Sequence, residues 1–72
     1  MNEFCIKEYG RTELAVKYFT ALVPESAWRK LRSWIELNAD LMSSLRAAGY
    51  TGRRRSFTPQ QVSLIVHYLG EP

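Results

Sequence analysis

Three consecutive arginines, Arg53–Arg55, stand directly before a strong helix-start signal in the segment TGRRRSFTPQQV. Arginine side chains bind phosphates and guanine edges in nucleic acids. The helix that follows does not need this charge, because a helix N-terminus already carries partial positive charge. The run therefore favours contact with an anion. The alternative is structural, in which the side chains lie over the core or pair with acidic residues near the N-terminus.

A second group of basic residues lies in PESAWRKLRSWIELN, the clearest amphipathic helix of the chain. Its apolar residues fall within one third of the helical circle: Ala27, Trp28, Leu31, Trp34 and Ile35. Arg29 and Arg32 fall on the opposite side with Ser33 and Glu36, and Lys30 lies at the flank. Arg29 and Arg32 are predicted to reach phosphates or guanine edges, and Lys30 the nucleic-acid backbone. The two tryptophans are predicted to be core residues rather than platforms for base stacking.

The basic residues are concentrated in the middle of the chain. Residues 29–55 hold seven basic and two acidic side chains, a balance of +5, whereas the remaining residues hold three basic and five acidic ones, a balance of −2. Such asymmetry indicates an acidic partner, of which nucleic acid is the commonest. An ordinary solvated surface is the alternative.

Other kinds of chemistry have little support in these 72 residues. Cys5 has no second cysteine for a disulfide, and with His67 it makes no zinc-binding cluster. The place of His67 in the last turn of the final helix favours a local structural role. There is no glycine-rich phosphate loop and no hydrolase motif. We therefore expect no catalysis, no cofactor, no metal and no small-molecule substrate.

The length of the apolar runs in the sequence bears on the cellular location of the protein. MNEFCIKEYG lacks the long apolar run of a signal peptide, and no stretch approaches the length of a membrane span. A lone cysteine fits a reducing compartment. We expect a soluble cytoplasmic protein without membrane contact.

The elements that must position these arginines form a mainly α domain over residues 1–72, with about four helices. Thr12 is predicted to cap the first helix, on which Leu14, Ala15, Tyr18 and Phe19 share one face. Pro24 begins the amphipathic helix. Asn38 can cap a third helix, with its apolar stripe at Leu41, Leu45 and Ala48 and its end at Gly49. Tyr50 is predicted to fold back over that end.

The final helix has three start signals in five residues. Thr58 and Gln61 form a capping box, Pro59 occupies the first helical position, and Phe57 with Val62 has the spacing of a hydrophobic staple. Its buried face is predicted from the apolar spacing to be Val62, Ile65, Val66 and Leu69, and Gly70 ends the helix. The weak alternation in EFCIKEY suggests a short strand, and the N-terminus would pair with residues 53–57 in a two-stranded sheet.

RTELAVKYFTALVPESAWRKLRSWI has the order of a helix-turn-helix, in which the second helix enters the major groove of DNA. RRSFTPQQVSLIVHYLG resembles the junction between wing and helix in winged helix-turn-helix regulators of the mercury-resistance and excisionase type. That resemblance implies that Arg53–Arg55 lie on a wing against the DNA backbone and that Arg29, Lys30 and Arg32 lie on the recognition helix. The extra helical segment NADLMSSLRAAGY departs from the pattern of those regulators.

The whole chain resembles a family of short uncharacterised Bacteroidetes proteins, the domain of unknown function DUF4248. YGRTELAVKYF, PESAWRKLRSWIELN, LRAAGY and RSFTPQQVSLIVHYLGEP carry this resemblance across most of residues 9–72. It implies an intact natural domain in a bacterial cytoplasm and brings no established activity.

We therefore predict a regulatory or accessory protein that binds duplex DNA through a helix-turn-helix-like unit. The predicted contacts are Arg29, Lys30, Arg32, Arg53, Arg54 and Arg55. The competing hypothesis is a protein-interaction module that docks an acidic partner or forms a homodimer. An exposed apolar patch at Val16, Leu22 or Leu37 would support this hypothesis. Binding of single-stranded RNA is a third hypothesis and lacks an exposed aromatic platform.

Overall fold

Four helices and one pair of short strands make up the computed structural model, which describes residues 4–72. In chain order these elements are β1 Tyr9–Gly10, α1 Arg11–Tyr18, α2 Pro24–Leu37, α3 Ala39–Ala47, β2 Ser56–Phe57 and α4 Pro59–Leu69. The prediction of a mainly α fold with a small two-stranded sheet is confirmed. Within the described part of the chain, every helix is too short or too polar to cross a membrane.

The sheet is antiparallel and joins the segment before α1 to the segment before α4. Tyr9 pairs with Phe57 and Gly10 pairs with Ser56. The predicted partners are thus correct, but the strand is shorter than the alternation in EFCIKEY suggested and begins only at Tyr9. Tyr9 and Phe57 are both buried, whereas Ile6 is exposed and has no core to face. Glu3, the first residue of that segment, lies outside the described residues.

Helix α1 begins two residues earlier than predicted. Its N-cap is Gly10 and its first residue is Arg11, so the prediction of Thr12 as the cap is wrong. The reason is that Gly10 ends β1, and the Glu13 Oε1 atom accepts a hydrogen bond of 3.1 Å from the Gly10 N–H. This carboxylate satisfies an amide that the helix itself leaves without a partner.

Helix α2 packs against α1 and α3 and buries Ala27, Leu31 and Ile35 on one face. The two tryptophans lie on opposite edges of this buried stripe. Trp28 is half-buried, whereas Trp34 is 41% exposed and only packs edge-on against Phe19, with the ring centroids 4.9 Å apart. Both tryptophans therefore lie on the predicted apolar side of the helix. Trp34 is nevertheless too exposed to be a core residue, so the prediction is wrong for Trp34.

Helix α3 follows α2 after a single residue, Asn38. The Asn38 Oδ1 atom accepts a hydrogen bond of 3.0 Å from the Leu41 N–H, which confirms the predicted cap. Leu41 and Leu45 are buried, and Gly49 ends the helix with a φ of 90°. Tyr50 then folds back as predicted, because its N–H donates to the Leu45 carbonyl at 2.9 Å. This turn directs the residues that follow Tyr50 back over the C-terminal end of α3.

Helix α4 starts with the predicted capping box. The Thr58 hydroxyl accepts from the Gln61 N–H at 3.2 Å, and the Gln61 side chain accepts from the Thr58 N–H at 3.1 Å. The burial of Gln61 was not predicted. Its amide nitrogen donates to the Ala48 carbonyl at 3.0 Å, so the side chain also joins α4 to the end of α3. Val62 and Ile65 are fully buried, and Val66 and Leu69 only partly.

Replacement of Gln61 by leucine is expected to lower the free energy of unfolding by about 2 kcal/mol. Leucine has a similar volume, but it leaves the Thr58 amide and the Ala48 carbonyl without their side-chain partner at a buried position. Urea denaturation measures this loss. Gln60→Leu is the matched control because Gln60 is exposed in the same turn, and a loss as large in this control would contradict the explanation.

The end of the chain is held against the first helix. The Tyr18 hydroxyl donates a hydrogen bond to the Gly70 carbonyl, and Gly70 ends α4 with a φ of 87°. Burial, together with the nearby Glu71 carboxylate, raises the pKa of Tyr18 to about 12. The raised pKa keeps the phenol protonated, and able to donate, to a higher pH than an ordinary tyrosine.

Candidate nucleic-acid interface

The arginine run lies in an exposed segment that enters β2, rather than on a helix. Arg53, Arg54 and Arg55 are all exposed. The downstream end of the run is fixed to the first helix, because the Arg55 carbonyl accepts a hydrogen bond of 2.8 Å from the Arg11 N–H. Strand pairing at Ser56 continues this attachment. Arg11 therefore begins its helix directly beside the last arginine of the run.

The upstream end of the run borders a surface hollow of about 340 Å³. Its lining includes Arg32 from α2, Arg46 from α3, and Tyr50, Thr51 and Gly52 from the turn that precedes the run. Gly52 has a φ of 81°, a conformation that glycine adopts without steric cost. The turn thus leads the chain from the hollow directly into Arg53. Arg32 and Arg46 are brought to one end of the run, as Arg11 is to the other.

The aromatic rings of Trp28, Tyr50 and Phe57 pack together between these two ends of the arginine run. Phe57 lies 5.6 Å from Tyr50 and 5.9 Å from Trp28, measured between ring centroids. The Arg11 guanidinium lies 5.2 Å from the centre of the Trp28 ring, within the range of a cation–π contact. Arg11 thus lies directly on this partly buried aromatic cluster.

Burial and nearby charges act on the Tyr50 hydroxyl at the edge of that cluster. Burial raises the pKa of the Tyr50 phenol above its ordinary value of 10.0. The positive charges of Arg32 and Arg11 oppose this rise, whereas the Glu36 carboxylate adds to it. Two arginines that are 21 positions apart in the sequence therefore both act on the same hydroxyl.

We use the name arginine face for the surface that these residues share. Arg29 belongs to it because it lies three positions before Arg32, on the adjoining turn of the same side of α2. The arginine face therefore consists of Arg11, Arg29, Arg32, Arg46, Arg53, Arg54 and Arg55.

Lys30 lies on the other flank of α2. Its Nζ atom is 5.1 Å from the centre of the Phe19 ring, next to Trp34 rather than Tyr50. The two positions from Lys30 to Arg32 turn the helix by about 200°, so the two side chains leave the axis in nearly opposite directions. Of the predicted contacts on α2, only Arg29 and Arg32 thus share a side.

Within residues 4–72 the arginine face meets an acidic side chain at the hollow, where Glu36 lies in the lining together with Arg32 and Arg46. Across residues 4–72 the only ion pair joins Arg32 to Glu36, with Nε and Oε2 3.0 Å apart, and both side chains are more than half exposed. Such a surface pair is worth little and can be exchanged for another anion. The Glu8 carboxylate accepts a hydrogen bond of 3.4 Å from the hydroxyl of Ser56, the residue after Arg55. Arg53–Arg55 form no ion pair with the acidic side chains of the described residues.

Arg11 and Arg46 were not among the predicted contacts. Arg46 contributed to the basic excess of residues 29–55, so composition held a signal for it. Arg11 stands in the part of the chain with net negative charge, and only the strand pairing of the N-terminal segment with Ser56 brings it to the face. His67 and Cys5 are both exposed and lie outside the arginine face.

Comparison with known proteins identifies a family of unknown function. No curated protein and no solved structure matches the chain. A family model does match, and its description is "Domain of unknown function (DUF4248)". The match spans residues 5–72, which includes all four helices, both strands and every residue of the arginine face. The chain therefore belongs to the DUF4248 family.

Proposed function

We propose that this protein binds duplex DNA through the arginine face and serves a regulatory or accessory role. The observation that carries the proposal is that other arginines lie at both ends of Arg53–Arg55. Arg11 is hydrogen-bonded beside Arg55, and Arg32 and Arg46 border the turn that leads into Arg53. Cationic groups that are distant in the sequence thus form one surface, which is the electrostatic footprint of nucleic-acid binding.

The dimensions of the protein suit a duplex. Its principal extents are 31 × 24 × 19 Å. The major groove of DNA is about 12 Å wide, so a face of this size can reach the groove and the phosphates on either side of it. The planar guanidinium group presents its donors in a fixed fork that matches phosphate geometry, so little freedom is lost for each hydrogen bond formed. In this proposal most contacts go to the DNA backbone.

The order of elements supports a helix-turn-helix-like mode of binding. Helix α1 is followed by a break at residues 19–23 and then by α2, which carries Arg29 and Arg32. In that mode α2 approaches the major groove and the segment 50–57 acts as a wing against the backbone. Arg29 and Arg32 would then be the residues that read bases, and Arg53–Arg55 the residues that set affinity. Lys30 has no part in this contact.

Titration of a nonspecific duplex at several salt concentrations tests the proposal. If about five phosphates are contacted, the logarithm of the affinity falls with the logarithm of the salt concentration with a slope of about −4.5. The affinity then drops several hundredfold between about 50 and 200 mM salt. A flat response, or no binding at low salt, would overturn the proposal. Single-stranded RNA and polyglutamate serve as competitors, and preferential binding of either would assign the face to that class of partner.

A protein-interaction module is the second candidate, and a specific observation favours it. Leu37 is 82% exposed and Trp34 is 41% exposed on the flank of α2 that faces away from Arg32. Leu22 is also exposed, whereas Val16 is partly buried and does not belong to an exposed patch. This apolar surface is separate from the arginine face, so the two candidates do not exclude each other.

A further inference from the structure

The ion pair on α2 uses one edge of the Arg32 guanidinium and leaves the other edge free. The Glu36 Oε2 atom accepts a hydrogen bond of 3.0 Å from the Arg32 Nε–H. The remaining donors of this guanidinium lie on its two Nη atoms, and the structure gives them no acceptor within residues 4–72. The Arg32 side chain is 58% exposed and the Glu36 side chain 53%. The fork formed by the Nη atoms is therefore available to a ligand.

The other exposed arginine on this side of α2 is not held in this way. Arg29 lies one turn before Arg32 and forms no ion pair with Glu25 or with any other acidic side chain of residues 4–72. A free arginine side chain loses rotamer freedom when it binds a ligand, whereas a side chain that is already held loses less. Arg32 is thus the better prepared of the two for a contact that requires a defined geometry.

The edge of guanine in the major groove fits the free fork. Guanine presents two acceptors there, O6 and N7, which a guanidinium can bind through two N–H donors. Adenine presents one acceptor and an amino donor, and the donor is not complementary to the fork. The Glu36 carboxylate only accepts hydrogen bonds, so it does not compete with Arg32 for the guanine acceptors.

Glu36 also disfavours a phosphate at this fork. The guanidinium group matches phosphate as well as guanine. A phosphate at Arg32 either displaces the Glu36 carboxylate or lies beside its negative charge, and both reduce the gain from binding. The neutral edge of a base does neither. A repulsive element of this kind is a common source of specificity, because it weakens the wrong contact more than the right one.

We propose that Arg32 reads guanine in the major groove and that Glu36 is the residue that positions it. The inference rests on the proposed DNA binding, and it adds the base that is recognised and the residue that sets the choice. In water the ion pair contributes little to stability. Between protein and DNA the water is displaced, and a hydrogen bond between charged groups becomes stronger there. The carboxylate thus lowers the affinity for DNA in general and raises the preference for guanine.

Two short labelled duplexes of alternating G·C pairs test the contact by fluorescence anisotropy. One contains guanine, and the other contains 7-deazaguanine, which lacks the N7 acceptor but keeps its Watson–Crick pairing. Repeated G·C pairs present guanine in every register, so the target sequence does not need to be known. The protein is expected to bind the guanine duplex at least about fivefold more tightly than the 7-deazaguanine duplex, because a bidentate contact becomes a single hydrogen bond.

Variants of the two arginines assign this preference to one side chain. Arg32→Gln is expected to remove the preference, because the variant lacks the fork. Arg29→Gln is the matched control, since it removes the same charge from an exposed position on the same side of α2. It is expected to weaken the binding of both duplexes and to keep the preference for guanine. An Arg32→Gln variant that retains the full preference would overturn the assignment.

Two variants of Glu36 separate positioning from loss of charge. Glu36→Ala and Glu36→Gln both remove one negative charge, so both should bind the 7-deazaguanine duplex more tightly than the unchanged protein does. The ratio of the two affinities is expected to fall at least about threefold in Glu36→Ala. Glu36→Gln should keep more of the ratio, because its amide oxygen can still accept from the Arg32 Nε–H. A ratio that is unchanged in Glu36→Ala would contradict the positioning role.

The same measurements distinguish a failure of this inference from a failure of the proposed function. A protein that binds neither duplex at low salt does not bind DNA, and both the function and the guanine contact are then wrong. A protein that binds the two duplexes equally well does bind DNA, and only the guanine contact of Arg32 is then overturned.

Discussion

Replacement of Arg53, Arg54 and Arg55 together by glutamine is expected to weaken the binding of duplex DNA on the order of a hundredfold at about 0.1 M salt. The three side chains are exposed and form no ion pair within residues 4–72, so their removal should leave the fold intact. Removal of one arginine from a phosphate reduces the salt slope by about 0.9, and removal of all three reduces it by about 2.7. The measurement is fluorescence anisotropy of a labelled duplex in a series of salt concentrations.

The matched control changes the same charge elsewhere. Lys7, Lys17 and Lys30 lie over aromatic rings, the first two over Tyr9 and the third over Phe19. Their replacement by glutamine lowers the net charge by the same three units as the arginine variant. A much smaller loss of affinity is expected in this control. Equal losses in the two variants would mean that net charge alone, and not the arginine face, governs binding.

Replacement of Phe57 by alanine is expected to lower the free energy of unfolding by about 3–5 kcal/mol, the cost of deleting a fully buried aromatic side chain. Phe57 is 1% exposed, packs between Tyr50 and Trp28 and pairs across the sheet with Tyr9. A domain of this length has a core that rarely supplies more than about 3–5 kcal/mol. The variant should therefore be largely unfolded at room temperature by circular dichroism.

Phe4→Ala is the matched control for this prediction, since it deletes the same side chain from a peripheral position. Phe4 is only half-buried and stacks on Tyr9 with the ring centroids 5.3 Å apart. Its loss should cost about 1 kcal/mol, typical of an aromatic pair near the surface. If Phe57→Ala remained folded and lost no more stability than Phe4→Ala, β2 would not be the element that closes the core.

The helix ends could be predicted from sequence because their signals are local. Asn38 bonds to Leu41 and Thr58 bonds to Gln61, each across three residues, so the sequence contains both partners within one turn. The prediction failed at Thr12 because the strand that ends at the competing cap, Gly10, forms by pairing with Ser56 at a separation of 46 residues, although the Glu13 contact to Gly10 is local. The burial of Gln61 was missed for a similar reason, since its amide bonds to the Ala48 carbonyl in another helix.

The candidate site was predictable in its residue types but not in its geometry. Helical periodicity distinguishes the buried from the exposed half of α2, and it correctly placed Arg29 and Arg32 in the exposed half. It could not say that Lys30 turns towards Phe19 while Arg32 turns towards Tyr50, because that depends on which helices pack on each flank. The recruitment of Arg11 depends on the sheet, so its place in the sequence carried no sign of it.

Chemical-shift mapping by NMR tests the central claim most directly, because the chain of 8.4 kDa gives a resolved amide spectrum. In a titration with a short duplex, we expect the largest shifts at Arg11, at Arg32 and across Tyr50–Arg55. Little change is expected at Trp34 and Leu37 on the other flank. Shifts centred on Trp34 and Leu37, or no shifts at low salt, would contradict the assignment of the arginine face to DNA.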